Sequence, residues 1–259
     1  MKGICVDELK PEWVRIRDVS LWFELAHNRH PSLKEWVIDR LKGRSRDDMR
    51  RFLALDGITL DLRQGDRIGL VGRNGAGKST LLKTMARIYK PSAGRVEVKG
   101  HLVPLLEMGV GFNGDLSGED NVIQAGAIMG YNRAHMRARL NSIFDFAELQ
   151  EFRNVPIKYY SSGMGARLAF TLATEVEPQV LLLDEIFSIG DAGFVRKAQE
   201  RMKSLIDRCE VVVLVSHDAG LIAQMCNRGI YLERGKVRMD GEVAAVLAQY
   251  QTDLAQGAQ

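Results

Sequence analysis

The sequence contains the stretch Gly72-Arg73-Asn74-Gly75-Ala76-Gly77-Lys78-Ser79-Thr80, which fits the pattern G-x-x-x-x-G-K-[ST] of a phosphate-binding loop. The run Arg67–Val71 before it predicts a short buried strand, and residues 80–86 predict the start of a helix. Glycines let the backbone curl until successive N–H groups point at an anion, and the helix adds the positive end of its dipole. The alternative is a glycine-rich turn that precedes a lysine by chance. The flanking strand and helix favour nucleotide binding.

The loop assigns a chemical role to each of its polar residues. In this pattern the Lys78 ammonium reaches the β- and γ-phosphates, where it stabilises charge during transfer, and the Ser79 hydroxyl is a ligand of Mg²⁺. The predicted nucleotide-binding residues of the loop are Gly72, Arg73, Asn74, Gly75, Ala76, Gly77, Lys78, Ser79 and Thr80.

The composition limits the class of protein. A chain of 259 residues forms one large domain or two small ones, and it contains no stretch of about 18 consecutive apolar residues. Its first residues have no apolar signal-peptide region, and its three cysteines show no C-x-x-C spacing. A formal charge of +3 is too small to indicate nucleic acid as a partner. We therefore expect a soluble cytoplasmic protein without structural disulfides or a zinc site.

Two apolar runs farther along the chain are each followed by polar groups. The run Val180-Leu181-Leu182-Leu183 ends in Asp184 and Glu185, as a buried parallel strand does when it presents acids at its carboxyl edge. We place this strand beside that of the loop, with Asp184 as a second Mg²⁺ ligand and Glu185 as the general base that polarises the attacking water. The alternative is a strand end that meets solvent.

The second apolar run, residues 211–215, is followed by His217. Its imidazole can hydrogen-bond the γ-phosphate and sense hydrolysis, although a lone histidine is more often structural.

The order of predicted elements indicates an α/β core with an inserted helical part. Strands are predicted at residues 14–23, 53–62 and 95–99, and helices at about 119–129 and 133–147. Strand and helix alternate on either side of this helix-rich middle, so we expect a helical subdomain over about residues 112–176. The whole is predicted to be one domain, residues 1–250, with a tail at 251–259.

An unusual insert occupies about residues 24–51. Ser32 and Glu35 form a capping box before an apolar stripe that includes Trp36, and a basic run follows as far as Arg51. One interpretation is a solvated surface segment. The other is an amphipathic arm that lies near anionic lipid or docks a membrane partner.

Five motifs, in this order and spacing, resemble those of the nucleotide-binding subunit of an ABC transporter. They are Gly72 to Thr80, Ser161-Ser162-Gly163-Met164, Leu183-Asp184-Glu185, Ser188-Ile189-Gly190-Asp191 and Ser216-His217-Asp218. The resemblance extends over about residues 14–250 and implies a P-loop NTPase core of the ABC ATPase type, with an antiparallel β subdomain and an inserted helical subdomain. It implies that Ser161, Ser162 and Gly163 form the signature motif, usually Leu-Ser-Gly-Gly-Gln, from which this chain departs at two positions. A hydroxyl and a glycine at a helix N-terminus still suit a phosphate.

The segment around Lys158-Tyr159-Tyr160, the residues from Leu105 to Phe112 and the insert near His30 resemble the ATPases of O-antigen, teichoic-acid and capsular polysaccharide exporters. This resemblance implies a head-to-tail homodimer with ATP and Mg²⁺ at its interface, where Lys78 and Ser79 of one chain face Ser161 and Gly163 of the other. It also implies a separate membrane-spanning permease, which holds the subunit at the cytoplasmic face of the inner membrane. Some exporter ATPases carry a C-terminal carbohydrate-binding domain; since this chain ends soon after Tyr250, we expect it not to select the glycan itself.

Three positions have competing interpretations. Most ABC ATPases have a glutamine before the helical subdomain that touches Mg²⁺, and Glu107 is the nearest equivalent here. Phe52 is closest to the expected place of the aromatic residue that stacks on adenine, but Trp22, Phe23 and Trp36 compete with it. The segment around Ser117 looks superficially like a signature motif and is predicted instead to cap a helix.

The function that the resemblance implies is ATP hydrolysis that drives export of a lipid-linked polysaccharide. The alternatives are an ATPase for another transported substrate, a soluble ABC protein that works on nucleic acid or ribosomes, and a nucleotide-binding module that hydrolyses little.

Overall fold

The computed structural model describes residues 11–25, 50–105, 112–175, 178–184 and 192–256. The strands in these ranges are β1 Glu12–Leu25, β2 Arg50–Arg63, β3 Arg67–Val71, β4 Ala93–Val98, β5 Leu102–Leu105, β6 Val180–Asp184, β7 Val211–Val215, β8 Arg228–Glu233 and β9 Lys236–Glu242. The α-helices are α1 Lys78–Met85, α2 Gly118–Ile128, α3 Arg133–Ala147, α4 Ser162–Ala173, α5 Ala192–Arg208, α6 Ala219–Met225 and α7 Val243–Gln256.

The core is a six-stranded sheet with the order β5-β6-β7-β3-β8-β9, in which only β9 runs antiparallel to its neighbour. Its central strands β3, β6 and β7 are rich in Val, Leu and Ile, and nearly all of their residues are buried because the sheet is covered on both faces. β5 lies at the edge, the position that tolerates Pro104 in a strand.

The prediction that the strand of Asp184 lies directly beside the strand of the loop is wrong, because β7 lies between β6 and β3. β6 is followed by α5 and then β7, so this crossover lays β7 directly beside β6. All three strands are parallel, so their carboxyl ends still meet at one edge of the sheet.

A second, antiparallel sheet has the order β2-β1-β4. Its inward side chains, among them Ile16, Leu55 and Leu60, pack in one apolar cluster with Leu81 and Leu82 of α1. β1 runs to Leu25 and β2 begins at Arg50, so the strands take up both ends of the predicted insert. Residues 26–49, with Ser32, Glu35 and Trp36, lie outside the described residues.

The helices α2, α3 and α4 form a helical subdomain around an apolar cluster of their own, which includes Val122, Leu140, Phe144 and Leu168. Ser117 caps α2 as predicted, since its Oγ accepts the N–H of Asp120 at 3.1 Å. The last helix, α7, continues to Gln256 and so into the predicted tail at residues 251–259. Across the described part of the chain, no helix combines the length and apolar character that spanning a membrane requires.

Candidate functional site

The phosphate loop leaves the carboxyl end of β3 and leads directly into α1. Gly72 and Gly77 both adopt a positive φ, of 154° and 105°. A Cβ atom on Gly72 would lie 2.4 Å from the carbonyl oxygen of Leu232, and one on Gly77 would lie 2.8 Å from that of Ala54. The loop therefore needs glycine at both positions, because neighbouring backbone occupies the space that a side chain would take.

Lys78 is the first residue of α1 and lies 8% exposed inside the curl of the loop. Its Nζ donates to the carbonyl oxygens of Gly72 at 2.7 Å and Arg73 at 3.2 Å. The residue before the helix is Gly77, which has no side chain to cap the first turn. No cap side chain therefore competes with an anion for the N–H groups of that turn, which lie beside the lysine.

These residues form one wall of a cavity of about 540 Å³. The cavity is lined by Phe52, Ala54, Asn74, Gly75, Gly77, Lys78, Ser79, Thr80, Asp184, Val215 and His217. Predicted site residues from β2, the loop, β6 and the end of β7 are therefore brought together around one cavity.

The register of the parallel strands explains how Asp184 and His217 reach the loop. Asp184 is opposite Val215 on β7, and Val215 is opposite Leu70 on β3. The three strands therefore end level with one another, and the loop, Asp184 and His217 emerge at the same edge of the sheet. This edge is where open α/β sheets bind their ligands.

The polar groups of the cavity fit Mg²⁺ bound together with a phosphate. No cluster of three or more His, Cys, Asp or Glu side chains that could hold a metal occurs among residues 11–25, 50–105, 112–175, 178–184 and 192–256. The Asp184 carboxylate and the Ser79 hydroxyl nevertheless line the same cavity. Mg²⁺ is usually held by one or two carboxylates, waters and substrate phosphates rather than by a full set of protein ligands.

Phe52 lines this cavity, and its side chain is 52% exposed. Phe23, opposite it on β1, packs edge-on against Tyr89 with ring centroids 5.4 Å apart. The ring of Trp22 lies 5.9 Å from the Arg51 guanidinium. Neither of these two competitors lines the cavity.

The predicted signature residues lie elsewhere in this chain. Ser161 caps the N-terminus of α4, with its Oγ accepting the N–H of Met164 at 3.2 Å, and both Ser161 and Ser162 are exposed. Neither they nor Gly163 line the cavity formed by the loop.

Three predicted loop residues, Gly72, Arg73 and Ala76, do not line this cavity. Arg73 and Ala76 line a second cavity of about 280 Å³, which shares Asn74 and Gly75 with the first. Glu185 and Glu107 lie outside the described residues.

Two cavity residues, Ala54 and Val215, were not predicted from the sequence. Ala54 follows Phe52 by two positions on β2, so the two share a face of the strand. Val215 is the last residue of a buried run that precedes His217. The alternation of side chains along β2 could have identified Ala54 as a cavity residue. Identifying Val215 in the same way requires knowledge of the strand order in the sheet.

Comparisons of the sequence and of the fold with known proteins all lead to the same protein family. Residues 55–188 match the sequence profile described as ABC transporter. The chain is 42% identical to the O-antigen export system ATP-binding protein RfbE of Yersinia enterocolitica over 85% of this chain and 94% of the relative. It is 39% identical to the O-antigen export system ATP-binding protein RfbB of Myxococcus xanthus over 85% of this chain. It is also 42% identical to the ABC transporter protein AbcA of Aeromonas salmonicida over 78% of this chain.

The chain spans 51% of the length of the Myxococcus protein and 66% of that of the Aeromonas protein. Among solved structures, it resembles a dimeric ATP-binding cassette in a post-hydrolysis state bound to ADP and Pi, with a TM-score of 0.65 and 19% identity over 89% of this chain and 98% of the other. An ATP-binding subunit of an ABC transporter gives a TM-score of 0.66 at 19% identity, over 92% of this chain and 93% of that subunit. These structures show that the fold is that of an ATP-binding cassette.

Proposed function

Because the chain belongs to the ABC transporter family, we propose that it is the ATP-hydrolysing subunit of an exporter that moves a lipid-linked polysaccharide across the cytoplasmic membrane. The observation that carries the ATPase assignment is the single cavity that combines the phosphate loop with Asp184 and His217. The polysaccharide assignment is supported by the names of the O-antigen export relatives.

The residues of the cavity have different roles in ATP hydrolysis. The loop N–H groups and Lys78 bind the phosphates, and Phe52 stacks on the adenine. Ser79 and Asp184 hold Mg²⁺, which neutralises charge on the phosphates when it is bound. Glu185 directly follows Asp184 and serves as the general base for the attacking water, while His217 donates a hydrogen bond to the γ-phosphate. Glu107 is proposed in the place of the usual glutamine near the metal.

The signature residues complete the site of a second copy. Ser161, Ser162 and Gly163 are at the exposed start of α4 and lie outside their own chain's cavity. A head-to-tail homodimer places this helix N-terminus against the ATP on the partner's loop, where its N–H groups suit a phosphate. The two ATP molecules then lie at the interface, and hydrolysis releases the dimer.

The membrane-spanning part of the exporter is a separate permease, and the subunit is held on it at the cytoplasmic face of the inner membrane. The contact surfaces are the helical subdomain, about residues 112–176, and the insert, about residues 24–51. The ATPase is a single domain over residues 1–250 with a tail at 251–259.

The test is a pull-down from detergent-solubilised membranes with the Glu185→Gln variant and ATP, together with turnover by the parent chain. Removing the base stops hydrolysis and keeps the closed state, so we expect the variant to bring down a polytopic permease encoded among glycan-synthesis enzymes. A permease that is not encoded among glycan-synthesis enzymes would overturn the polysaccharide assignment. Recovery of ribosomes or nucleic acid would overturn the exporter assignment, and a parent chain without ATP turnover would overturn the ATPase assignment.

A further inference from the structure

The carboxylate of Glu175 lies where the chain returns from the helical subdomain to the core. Glu175 follows directly after Thr174, the C-terminal cap of α4, and its side chain is only 11% exposed. Arg139 of α3 donates to Glu175 Oε1 at 2.9 Å, and Arg201 of α5 donates to Oε2. One largely buried carboxylate therefore ties a helix of the subdomain to a helix of the core.

A second contact between the same two helices surrounds Phe146, near the end of α3. The Arg201 guanidinium lies 4.2 Å and the Lys197 ammonium 4.5 Å from the centroid of its ring. Lys197 also donates to the carbonyl oxygen of Phe146 at 2.9 Å. Lys197 and Arg201 are four residues apart on α5, so both belong to one face of that helix.

Phe194 extends this face of α5 toward its N-terminus. Its ring packs edge-on against Phe146 of α3 and against Phe170 of α4, with centroids 5.9 Å apart in both pairs. We call this set of contacts the subdomain seam; we define it by Arg139, Phe146, Phe170 and Glu175 on one side and Phe194, Lys197 and Arg201 on the other.

Positions of α5 that adjoin this face are anchored on the core sheet. Ala198, Met202 and Leu205 are buried in one cluster with Leu181 and Leu183 of β6. β6 ends at Asp184 in the ATP cavity, and α5 begins at Ala192. The helix is thus packed both on the strand that carries Asp184 and on the helical subdomain.

On the subdomain side of the seam lies α4, which presents Ser161 at its N-terminus. Leu168 and Leu172 of α4 pack within the subdomain, whereas Phe170 and Ala173 pack in the core cluster that contains α5. The direction in which α4 presents Ser161 relative to the ATP cavity is therefore fixed through the seam.

We propose that Glu175 is a positioning residue for ATP hydrolysis, which holds α4 against α5 so that the signature residues meet the ATP of the partner chain. This inference rests on the proposed function. ATP binding to the loop of one chain involves none of the seam residues, because none of them lines the cavity. Closure of the dimer and turnover, in contrast, depend on the orientation of α4.

The experiment compares Glu175→Gln with Glu119→Gln in the otherwise unchanged chain. Glu119 pairs with Arg153 at 2.6 Å inside the subdomain, so the control removes an ion pair that does not cross the seam. Glu175→Gln leaves Arg139 and Arg201 without their shared carboxylate, and we expect kcat to fall about tenfold. The affinity of the single chain for ATP, measured by fluorescence titration, should stay at the parent value, and Glu119→Gln should keep the parent kcat.

Arg201→Gln is the second variant, and it leaves Glu175 paired with Arg139, so the buried carboxylate keeps a partner. If the pair acts as a unit, the double variant loses no more kcat than the worse single variant. Parent kcat in folded Arg201→Gln, or an equal loss in Glu119→Gln, would overturn the inference while the ATPase assignment stands. A loss of ATP affinity in step with kcat would also overturn it. A parent chain that hydrolyses no ATP would remove the proposed function and this inference together.

Discussion

The side-chain nitrogen of Lys78 lies 2.7 Å from the carbonyl oxygen of Gly72, the residue that opens the phosphate loop. A second bond, 3.2 Å long, joins it to the carbonyl oxygen of Arg73. The lysine is therefore held inside the curl of the loop, where the loop N–H groups and its own charge act on the same anion. Its ammonium is already partly desolvated, which strengthens its interaction with phosphate oxygens.

Lys78→Ala should weaken ATP binding itself. A hydrogen bond to a charged group contributes about 1.5–3 kcal/mol, so we expect the dissociation constant for ATP to rise about 10- to 150-fold. Lys83→Ala is the matched control, since Lys83 lies on the same helix and lines no part of the cavity. Calorimetric titration with ATP measures both. Parent affinity in Lys78→Ala would contradict the assigned role.

Phe52→Ala should also lower the affinity for ATP, because the exposed ring lines the cavity. Base stacking on an aromatic side chain is worth about 1–3 kcal/mol, so we expect a rise of roughly 5- to 150-fold in the dissociation constant. Phe52→Trp keeps a stacking surface and should keep the affinity. Phe152→Ala, which removes an exposed aromatic ring of the helical subdomain, serves as the control. Equal affinities in all four proteins would exclude Phe52 as the stacking residue.

The parts of the site that could be predicted from the sequence are those that local chemistry determines. The loop glycines, the strand before them and the caps Ser117 and Ser161 each depend on residues within a few positions along the chain. The helix at Arg133–Ala147 begins and ends as the apolar periodicity predicts.

The parts of the fold and of the site that could not be predicted depend on contacts between segments that are distant in the sequence. The order of β6, β7 and β3 follows from crossovers and pairing, which no single segment encodes. Phe52 and Phe23 both fit the adenine position by sequence, and the pairing of β1 with β2 shifts register near Leu21 and Trp22. The structure pairs the two rings across these strands, and contacts with distant segments such as that of Phe23 with Tyr89 distinguish them, which periodicity alone does not predict. The ion pairs of Glu175 join residues that are far apart in the chain, so no local sequence motif predicts them.

His217→Ala should reduce turnover more than binding. Its side chain lines the cavity at the carboxyl edge of the sheet, and a hydrogen-bond donor aimed at developing charge is worth about 100-fold in kcat. His135→Ala is the control, because that ring stacks on Tyr131 in the helical subdomain, 5.2 Å away. Steady-state turnover at saturating ATP measures both variants. A His217→Ala protein with the parent kcat would reduce the residue to a structural role.

The two described cysteines should react slowly with thiol reagents in the folded protein. Burial disfavours the charged thiolate and raises the pKa of Cys209 to about 11 and that of Cys226 to about 12, against a smaller opposing effect of the Arg67 charge. At pH 8 the thiolate fractions are then about one in a thousand and about one in ten thousand. In a Cys5→Ser variant, Ellman's reagent should label both thiols quickly only after guanidinium unfolding. Fast labelling of the native variant at pH 8 would contradict the burial.

The signature residues should act on the ATP of the partner chain, which a mixing experiment can test. Gly163→Asp places a negative charge where the partner's γ-phosphate is proposed to lie, and a Cβ at this position meets no atom nearer than 3.9 Å, so the variant should fold. It should bind ATP and fail to hydrolyse it. The Lys78→Ala chain should also be inactive, for the separate reason that its own loop lacks the ammonium that stabilises charge on the phosphates during transfer.

In a dimer of Gly163→Asp with Lys78→Ala, one composite site carries both defects and the other carries neither. Mixing equal amounts at saturating ATP should therefore restore up to about a quarter of the parent turnover, since half of random dimers are mixed and each holds one intact site. If the signature served its own chain, every site would carry one defect and the mixture would stay inactive. An inactive mixture in which cross-linking detects the mixed dimer would thus refute the head-to-tail arrangement, whereas recovered turnover would require that Ser161 and Gly163 complete the cavity of the other chain.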